Sequence, residues 1–374
     1  MVPVRIYLDY NASTPISPEV AEAIRPFLTD RYGNPSSRHW AGTPAREAVE
    51  NARSQVAGLL GCRPDEIVFT SGGTEANNHA IKGAFFTLGD RGNHIITTQV
   101  EHPATIQPCR FVEKLGAEVT YLPVDGTGRV DPDDVQQDIT SQTILITVMH
   151  ANNEVGTIQP IAEIGRIAHE RGILFHTDAA QSVGKIPARV DELGVDLLSV
   201  AGHKVYAPKG VGALYVRNGV SLEPFVHGAG HESGRRAGTE NVLLDVGLGA
   251  ACELAKGWIG MPAARKLRDL FWVRLGESFG DRVVLNGHPT ERLPNTLNVS
   301  FVGKSGSEIL SKLEGVAAST GSACHEGTIE ISPVLRAMGV VPEIGMGAIR
   351  FSLGRGTTKE EIAYVIEQLK GIIL

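Results

Sequence analysis

The sequence predicts an α/β protein with a large, doubly wound, mostly parallel seven-stranded sheet domain and a smaller α+β domain. From about residue 43 to 258, short apolar runs rich in β-branched residues alternate with longer segments of helical period, the pattern of βαβ units. Beyond residue 259 that alternation stops. At about 150 residues per domain, 374 residues make two to three packing units. Residues 14–258 are therefore assigned to the large domain, and 1–13 together with 259–374 to the small one.

The expected strands of the large sheet are EIVFT (66–70), HIITTQV (94–100), AEVTYLPV (117–124), TILITVM (143–149), ILFHT (173–177), LLSVA (197–201) and GALYV (212–216). Amphipathic stretches such as PIAEIGRIAHERG (160–172) lie between them and read as crossover helices. In the second part, a long helix is expected over 262–279, then strands at 282–287 and 295–302, then a helix near 306–314. Ala348–Leu353 alternates like a strand. Thr358 and Glu361 have capping-box spacing, and Ile362, Val365, Ile366 and Leu369 behind them share one helical face.

Composition narrows the function. Hydrophobic residues make up 42% and charged residues 21%, average for a folded soluble chain, and no run of about 20 apolar residues is present to cross a bilayer. A net charge of -7 offers no basic stripe, so direct nucleic-acid and membrane binding are not expected. Cys62, Cys109, Cys252 and Cys324 have neither disulfide-framework nor zinc spacing, and Cys324 beside His325 lacks spaced co-ligands, so no metal is expected. Asp9 and Asn11 interrupt the N-terminal segment before any apolar signal core forms, which makes a cytoplasmic protein with reduced thiols the expectation.

Chemistry-bearing residues cluster just after the expected strands. Ser71-Gly72-Gly73-Thr74 follows one and opens a helical segment, which suits either a phosphate cradle or an ordinary turn with Thr74 as cap. Lys204 sits past LLSVA beside His203, where an apolar surround would depress its pKa and favour Schiff-base formation. Asp178 ends ILFHT, with Gln181 one helical turn on; a carboxylate there either caps a helix or holds a protonated pyridine nitrogen. His102 follows HIITTQV and Asn153 follows TILITVM. A phosphate cradle, lysine, carboxylate and imidazole on one sheet edge fit a pyridoxal phosphate pocket. Cys324 lies among small turn-forming residues, on an expected exposed loop where a thiolate can react, whereas the other cysteines read as structural. Arg350, among apolar neighbours, either pairs with a structural carboxylate or grips a substrate α-carboxylate with its planar fork.

Taken together, YLDYNASTP (7–15), YGNPSSRHWAG (32–42), FTSGGTEANNHAIKG (69–83), EHPA (101–104), MHANNEVGTIQP (149–160), HTDAAQSVGK (176–185), AGHKVYAPKGVGALYV (201–216), RRAGTENV (235–242), STGSACHEG (319–327) and IRFSLGR (349–355) resemble the cysteine desulfurases of the class V aminotransferase group, long-loop subgroup. The resemblance implies the fold type I of pyridoxal 5'-phosphate enzymes. It implies that Lys204 forms the Schiff base, His102 stacks on the ring and assists proton transfer, Asp178 binds the ring nitrogen, and Gln181 and Asn153 lie on the ring-oxygen side. Gly73, Thr74 and His203 would hold the phosphate, and Thr239 would reach it across a homodimer interface. Arg350, Asn153 and Asn11 would meet L-cysteine, whose sulfur Cys324 would take as a persulfide and pass to an acceptor protein such as an iron–sulfur scaffold. The sequence departs from the family in having Ala201 where a phosphate-binding serine is usual, and His325-Glu326-Gly327 after the cysteine. Selenocysteine lyase, another β-eliminating activity, or a weakly catalytic scaffold subunit are the alternatives.

Overall fold

This computed structural model describes residues 5–320, 322–325 and 328–374, and of 322–325 and 328–330 the backbone alone. All of the strands expected in the large sheet form. Across it the order is Ile67–Thr70, Gly212–Val216, Leu197–Ala201, Leu174–Asp178, Thr143–Thr147, His94–Thr98 and Glu118–Leu122. Gly212–Val216 runs antiparallel to both neighbours, and the remaining pairings are parallel. Nearly every residue of the central strands is buried, as expected where helices cover both faces of a sheet. Ile146, Phe175, Leu198 and Val200 join Val56, Leu60 and Leu248 of flanking helices in one core.

That order places the ends of Leu197–Ala201, Leu174–Asp178, Thr143–Thr147 and His94–Thr98 side by side. Residues just past adjacent parallel strands therefore meet on the edge where α/β sheets bind ligands. Gly212 makes room there: a Cβ on it would lie 2.4 Å from the Val200 carbonyl oxygen and 2.7 Å from the Gly72 Cα.

A second sheet of antiparallel strands has the order Ser319–Thr320, Ala348–Ser352, Thr296–Phe301 and Val283–Asn286. Helices Pro262–Phe279 and Lys359–Ile373 supply Phe271, Leu275, Phe279, Ile362, Val365 and Leu369 to its own core, where the Phe271 and Phe351 rings stand 5.0 Å apart. Ile6–Tyr7 pairs in parallel with Val316–Ala317, which ties the N-terminal segment to this part of the chain. The capping box forms as its spacing predicts: the Glu361 N–H donates to Thr358 Oγ1 at 3.2 Å, and the Thr358 N–H to Glu361 Oε2 at 2.8 Å. Thr358→Ala should lower unfolding free energy by about 1 kcal/mol, read as a lower denaturant midpoint at unchanged slope.

Two local expectations change. Ser322–His325 pairs antiparallel with Thr328–Ile331, setting Cys324 opposite Ile329, where a loop was expected. Thr328, Ile329 and Ile331 supply the β preference that the small residues lack. Residues 179–186 form successive turns and not the helix implied by the Asp178–Gln181 spacing. Asp178 Oδ1 takes the Ala180 N–H at 2.9 Å, a local bond that turns the chain back on itself.

Candidate active site

A cavity of about 350 Å³ opens at these strand ends, within the range of small-molecule sites. Asn11, Gly73, Thr74, His102, Asn153, Asp178, Gln181, His203, Lys204 and Arg350 all line it, with Ala201 beside them. A larger cavity, about 800 Å³, lies elsewhere by Arg53, Arg63 and Glu232. Two of its ion pairs are internal, Arg53 holding Glu232 at 2.7 Å and Arg63 holding Asp65 at 2.6 Å.

Lys204 ends the single turn Gly202–Lys204 that follows its strand. Its Nζ donates to the main-chain oxygens of Asn11 and, at 2.8 Å, of Ala12. Burial, reinforced by the charge of Arg350, lowers its pKa to about 8 against the opposing pull of Asp178 and Asp9. An amine in that state is available as a nucleophile near neutral pH, which an exposed lysine is not.

Asp178 ends the neighbouring strand and is buried; its Oδ2 accepts from Asn77 Nδ2 at 2.7 Å. Two donors thus fix the carboxylate in place, with lone pairs left for a cationic partner. His102 caps the helix Pro103–Glu113 by accepting the Ala104 N–H on Nδ1 at 3.1 Å, so its neutral form carries the proton on Nε2. The residue is solvent-exposed at the cavity mouth. Enough protein nevertheless crowds its ring to lower the pKa, with burial the largest cause and the Lys204 charge adding to it against Asp178.

Gly73 and Thr74 open the helix Gly73–Leu88, whose N-cap is Gly72 at φ 148°, not Thr74. First-turn N–H groups, lacking intrahelical partners, and the positive end of the helix dipole together face the cavity. Ala201 packs behind this loop: a Cβ built on Gly73 would lie 3.3 Å from its methyl. His203 Nδ1 lies 3.4 Å from Ser13 Oγ, and burial together with the charges of Lys204, Lys209 and Lys185 lowers its pKa to about 4.

Arg350 pairs Nη2 with Asp9 Oδ1 at 2.7 Å and sends Nη1 to the Asn153 carbonyl at 2.9 Å. The structural-carboxylate alternative is therefore the contact observed. Its Nε is buried with no hydrogen-bond partner among the described residues. Asn11 joins both parts of the chain: its Nδ2 reaches Thr296 Oγ1 at 2.8 Å and the Asn153 carbonyl at 3.2 Å. Asn153 is held in turn by buried Asn152, whose Oδ1 takes the N–H groups of Glu154 and Val155 at 2.9 and 3.0 Å.

The predicted residue outside this set is Thr239, which is exposed and does not line the cavity. Its segment is anchored to the Gly73 loop, since Arg236 Nε donates to Glu75 Oε1 at 2.9 Å while Glu75 accepts the Ser71 N–H at 2.9 Å. The Cys324 side chain lies outside the described residues, as do residues 326–327 entirely. The other cysteines match their structural reading: Cys109 and Cys252 are buried, Cys62 is half-buried, and burial raises every one of these thiol pKa values.

Several participants escaped the sequence reading. Asn77, one helical turn after Gly73, shares its helix face, so the i,i+4 spacing was a usable signal. Lys185 is buried and donates to Gln181 Oε1 at 2.7 Å. Glu101, next to His102, takes the Thr98 hydroxyl at 2.8 Å and the Met149 N–H at 2.9 Å, and burial pushes its pKa up to about 8.

Comparison with known proteins places this geometry. The family model described as aminotransferase class-V matches residues 6–365. The chain is 53% identical over 372 residues to a cysteine desulfurase IscS from Dictyoglomus turgidum, covering 98% of this chain and 94% of that protein. It is 49% identical to a cysteine desulfurase IscS from Methanosarcina thermophila, covering 98% of this chain and 92% of that one. Among solved structures, a NifS-like protein superposes with a TM-score of 0.93 at 38% identity, covering 99% of both chains. A structure described as SspA in complex with cysteine superposes at 0.85 and 38% identity, covering 94% of this chain and 100% of that one.

Proposed function

This chain belongs to the class V aminotransferase family, and from that premise we infer that it is a cysteine desulfurase that takes sulfur from L-cysteine, releases L-alanine and carries the sulfur as a persulfide on Cys324. The observation that carries the reading is the convergence of Lys204, Asp178, His102 and the Gly73–Leu88 N-terminus on one cavity. The first two relatives, named as cysteine desulfurases, share about half of its residues over nearly the whole chain.

The residues present fit pyridoxal 5'-phosphate. Lys204 and Arg350 line the pocket with basic groups, Arg350 Nε is buried without a partner among the described residues, and the helix end offers N–H groups to an anion. When bound, that cofactor supplies an aldehyde for amines and a ring that accepts the electron pair released at the substrate Cα. Gly73, Thr74 and His203 would hold its phosphate, Asp178 its ring nitrogen, and Gln181 with Asn153 its ring-oxygen side. His102 would cover its face.

The chain's own work follows from the geometry. Lys204, with its lowered pKa, takes the substrate's Cα proton, and His102 shares in proton traffic at the cavity mouth. Arg350, held by Asp9 and the Asn153 carbonyl, lines the pocket beside Asn11, where its guanidinium would meet the substrate carboxylate. The Cys324 sulfur attacks the substrate sulfur; the carbon–sulfur bond breaks, its electron pair stays with carbon, and a proton there completes alanine. One thiol becomes one persulfide and one cysteine becomes one alanine, so the step balances without an external oxidant.

Loading of the apoprotein tests the lysine assignment. Only the neutral amine attacks an aldehyde, so a pKa of about 8 predicts a loading rate that rises about tenfold per pH unit below that value and levels off above it. A profile that climbs unbroken towards pH 10 rejects it.

The reading extends to a homodimer, in which exposed Thr239 reaches the partner's phosphate, and to a soluble acceptor protein, including an iron–sulfur scaffold, that removes the persulfide sulfur. No helix among the described residues is long and apolar enough to cross a membrane. Thiols at Cys62, Cys109 and Cys252 support a reducing, cytoplasmic setting. The separate cores of the two sheets support a large unit over 14–258 and a small one over 1–13 and 259–374. Alanine release from L-cysteine in the presence of reductant tests the whole: turnover that depends on Cys324 supports the reading, and a protein that releases none is a scaffold. A marked preference for selenocysteine marks a lyase.

A further inference from the structure

A lysine with its amino group behind the pocket wall has no place in the reaction above. Lys185 is only 5% exposed. Its Nζ donates to Gln181 Oε1 at 2.7 Å and to Asn11 Oδ1 at 3.1 Å, and burial, reinforced by the charges of Lys204 and Arg350, holds its pKa well below the ordinary lysine value. Burying such a group without a carboxylate is costly, so its retention calls for a task that an apolar side chain cannot perform.

The hydrogen bonds around it define that task. A side-chain amide presents either its oxygen or its NH2 group to a given neighbour, and the network decides which. Nζ is the donor to both of its partners, so it draws the Gln181 oxygen to the rear of the pocket. Gln181 Nε2 then faces forward and spends one hydrogen on the Asn11 main-chain oxygen at 2.9 Å, the same oxygen that accepts from Lys204. Its second hydrogen is left for the cavity that Gln181 lines. Asn11 needs no such help, because Asn295 Nδ2 donates to its Oδ1 at 3.1 Å while its own Nδ2 reaches two oxygens.

We propose that Lys185 is a positioning residue that locks the Gln181 side chain with its oxygen to the rear and an N–H donor aimed at the ring oxygen of bound pyridoxal phosphate; this rests on the cofactor reading above. Freed from Lys185, the amide turns over or drifts, and the ring oxygen loses a donor. A ring oxygen with one donor fewer holds a neighbouring proton more tightly.

Lys185→Met removes the donor and keeps most of the length. In the loaded protein, the pH midpoint at which the cofactor's visible band interconverts should rise by about one unit, with Asp178 and His102, the other titratable groups at the ring, unchanged. In a Gln181→Ala background the same substitution should move that midpoint by well under half as much, because Lys185 then has no amide to hold. The dissociation constant for pyridoxal phosphate, measured on apoprotein by fluorescence quenching, should show the same non-additivity. Should Lys185→Met fail to fold, Lys185→Gln retains a polar group but imposes neither orientation, and it should shift the midpoint in the same direction. Equal shifts with and without Gln181, or no shift in either variant, overturn the inference. A wild-type protein with no visible band that Lys204→Ala abolishes overturns the cofactor reading itself, and the inference with it.

Discussion

Cys324→Ala is expected to leave a yellow, cofactor-loaded protein that still binds L-cysteine and perturbs the visible band, yet forms no persulfide and transfers sulfur slower by on the order of a thousandfold or more. The split follows from where the residues sit. Every pocket residue assigned to cofactor and carboxylate comes from the sheet edge, the N-terminal segment or the Ala348–Ser352 strand, while Cys324 sits on the separate Ser322–His325 strand. Removing one thiol therefore deletes the sulfur-accepting step and leaves binding intact. Persulfide labelling alongside the band shift reads both halves in one sample. Normal sulfur transfer by this variant would move the nucleophile to another group, and the buried, high-pKa thiols Cys109 and Cys252 are poor replacements.

Lys204→Ala should have the broader effect. It removes the amine proposed to hold the cofactor covalently and to take the Cα proton, so borohydride-reducible colour should disappear and alanine release should fall by at least about a thousandfold. Ammonium or a small primary amine added in excess should restore a fraction of the proton transfer but not the covalent attachment. Asp178 and Asn77 stay paired in this variant, since their bond does not involve Lys204. The fold should therefore be unchanged by circular dichroism, which separates loss of chemistry from loss of structure.

The sheet and the site were legible to different depths. Strands such as TILIT and LLSVA are short apolar runs between amphipathic helices, and burial on both faces writes itself into sequence as an unbroken hydrophobic stretch. Strand order then placed His102, Asn153, Asp178 and Lys204 together, because residues just past neighbouring parallel strands have nowhere else to project. What the sequence hid depends on long-range contact. The pairing of Arg350 with Asp9 spans most of the chain, and no local pattern announces it. No local pattern marks Lys185; its burial is known only once Gln181 and Asn11 close over it. The hairpin that carries Cys324 was obscured by small residues with weak intrinsic preference, so that pairing with the Thr328–Ile331 strand decided the outcome. Thr239 is exposed and lies outside the pocket of a single chain.

The most direct test is the mass of the Cys324-containing peptide after loaded protein is mixed with one equivalent of L-cysteine without oxygen or added reductant. The account predicts one extra sulfur atom on Cys324 and an equal amount of alanine in solution. Alanine formed with Cys324 unmodified, or a Cys324 peptide unchanged with no alanine at all, would contradict it.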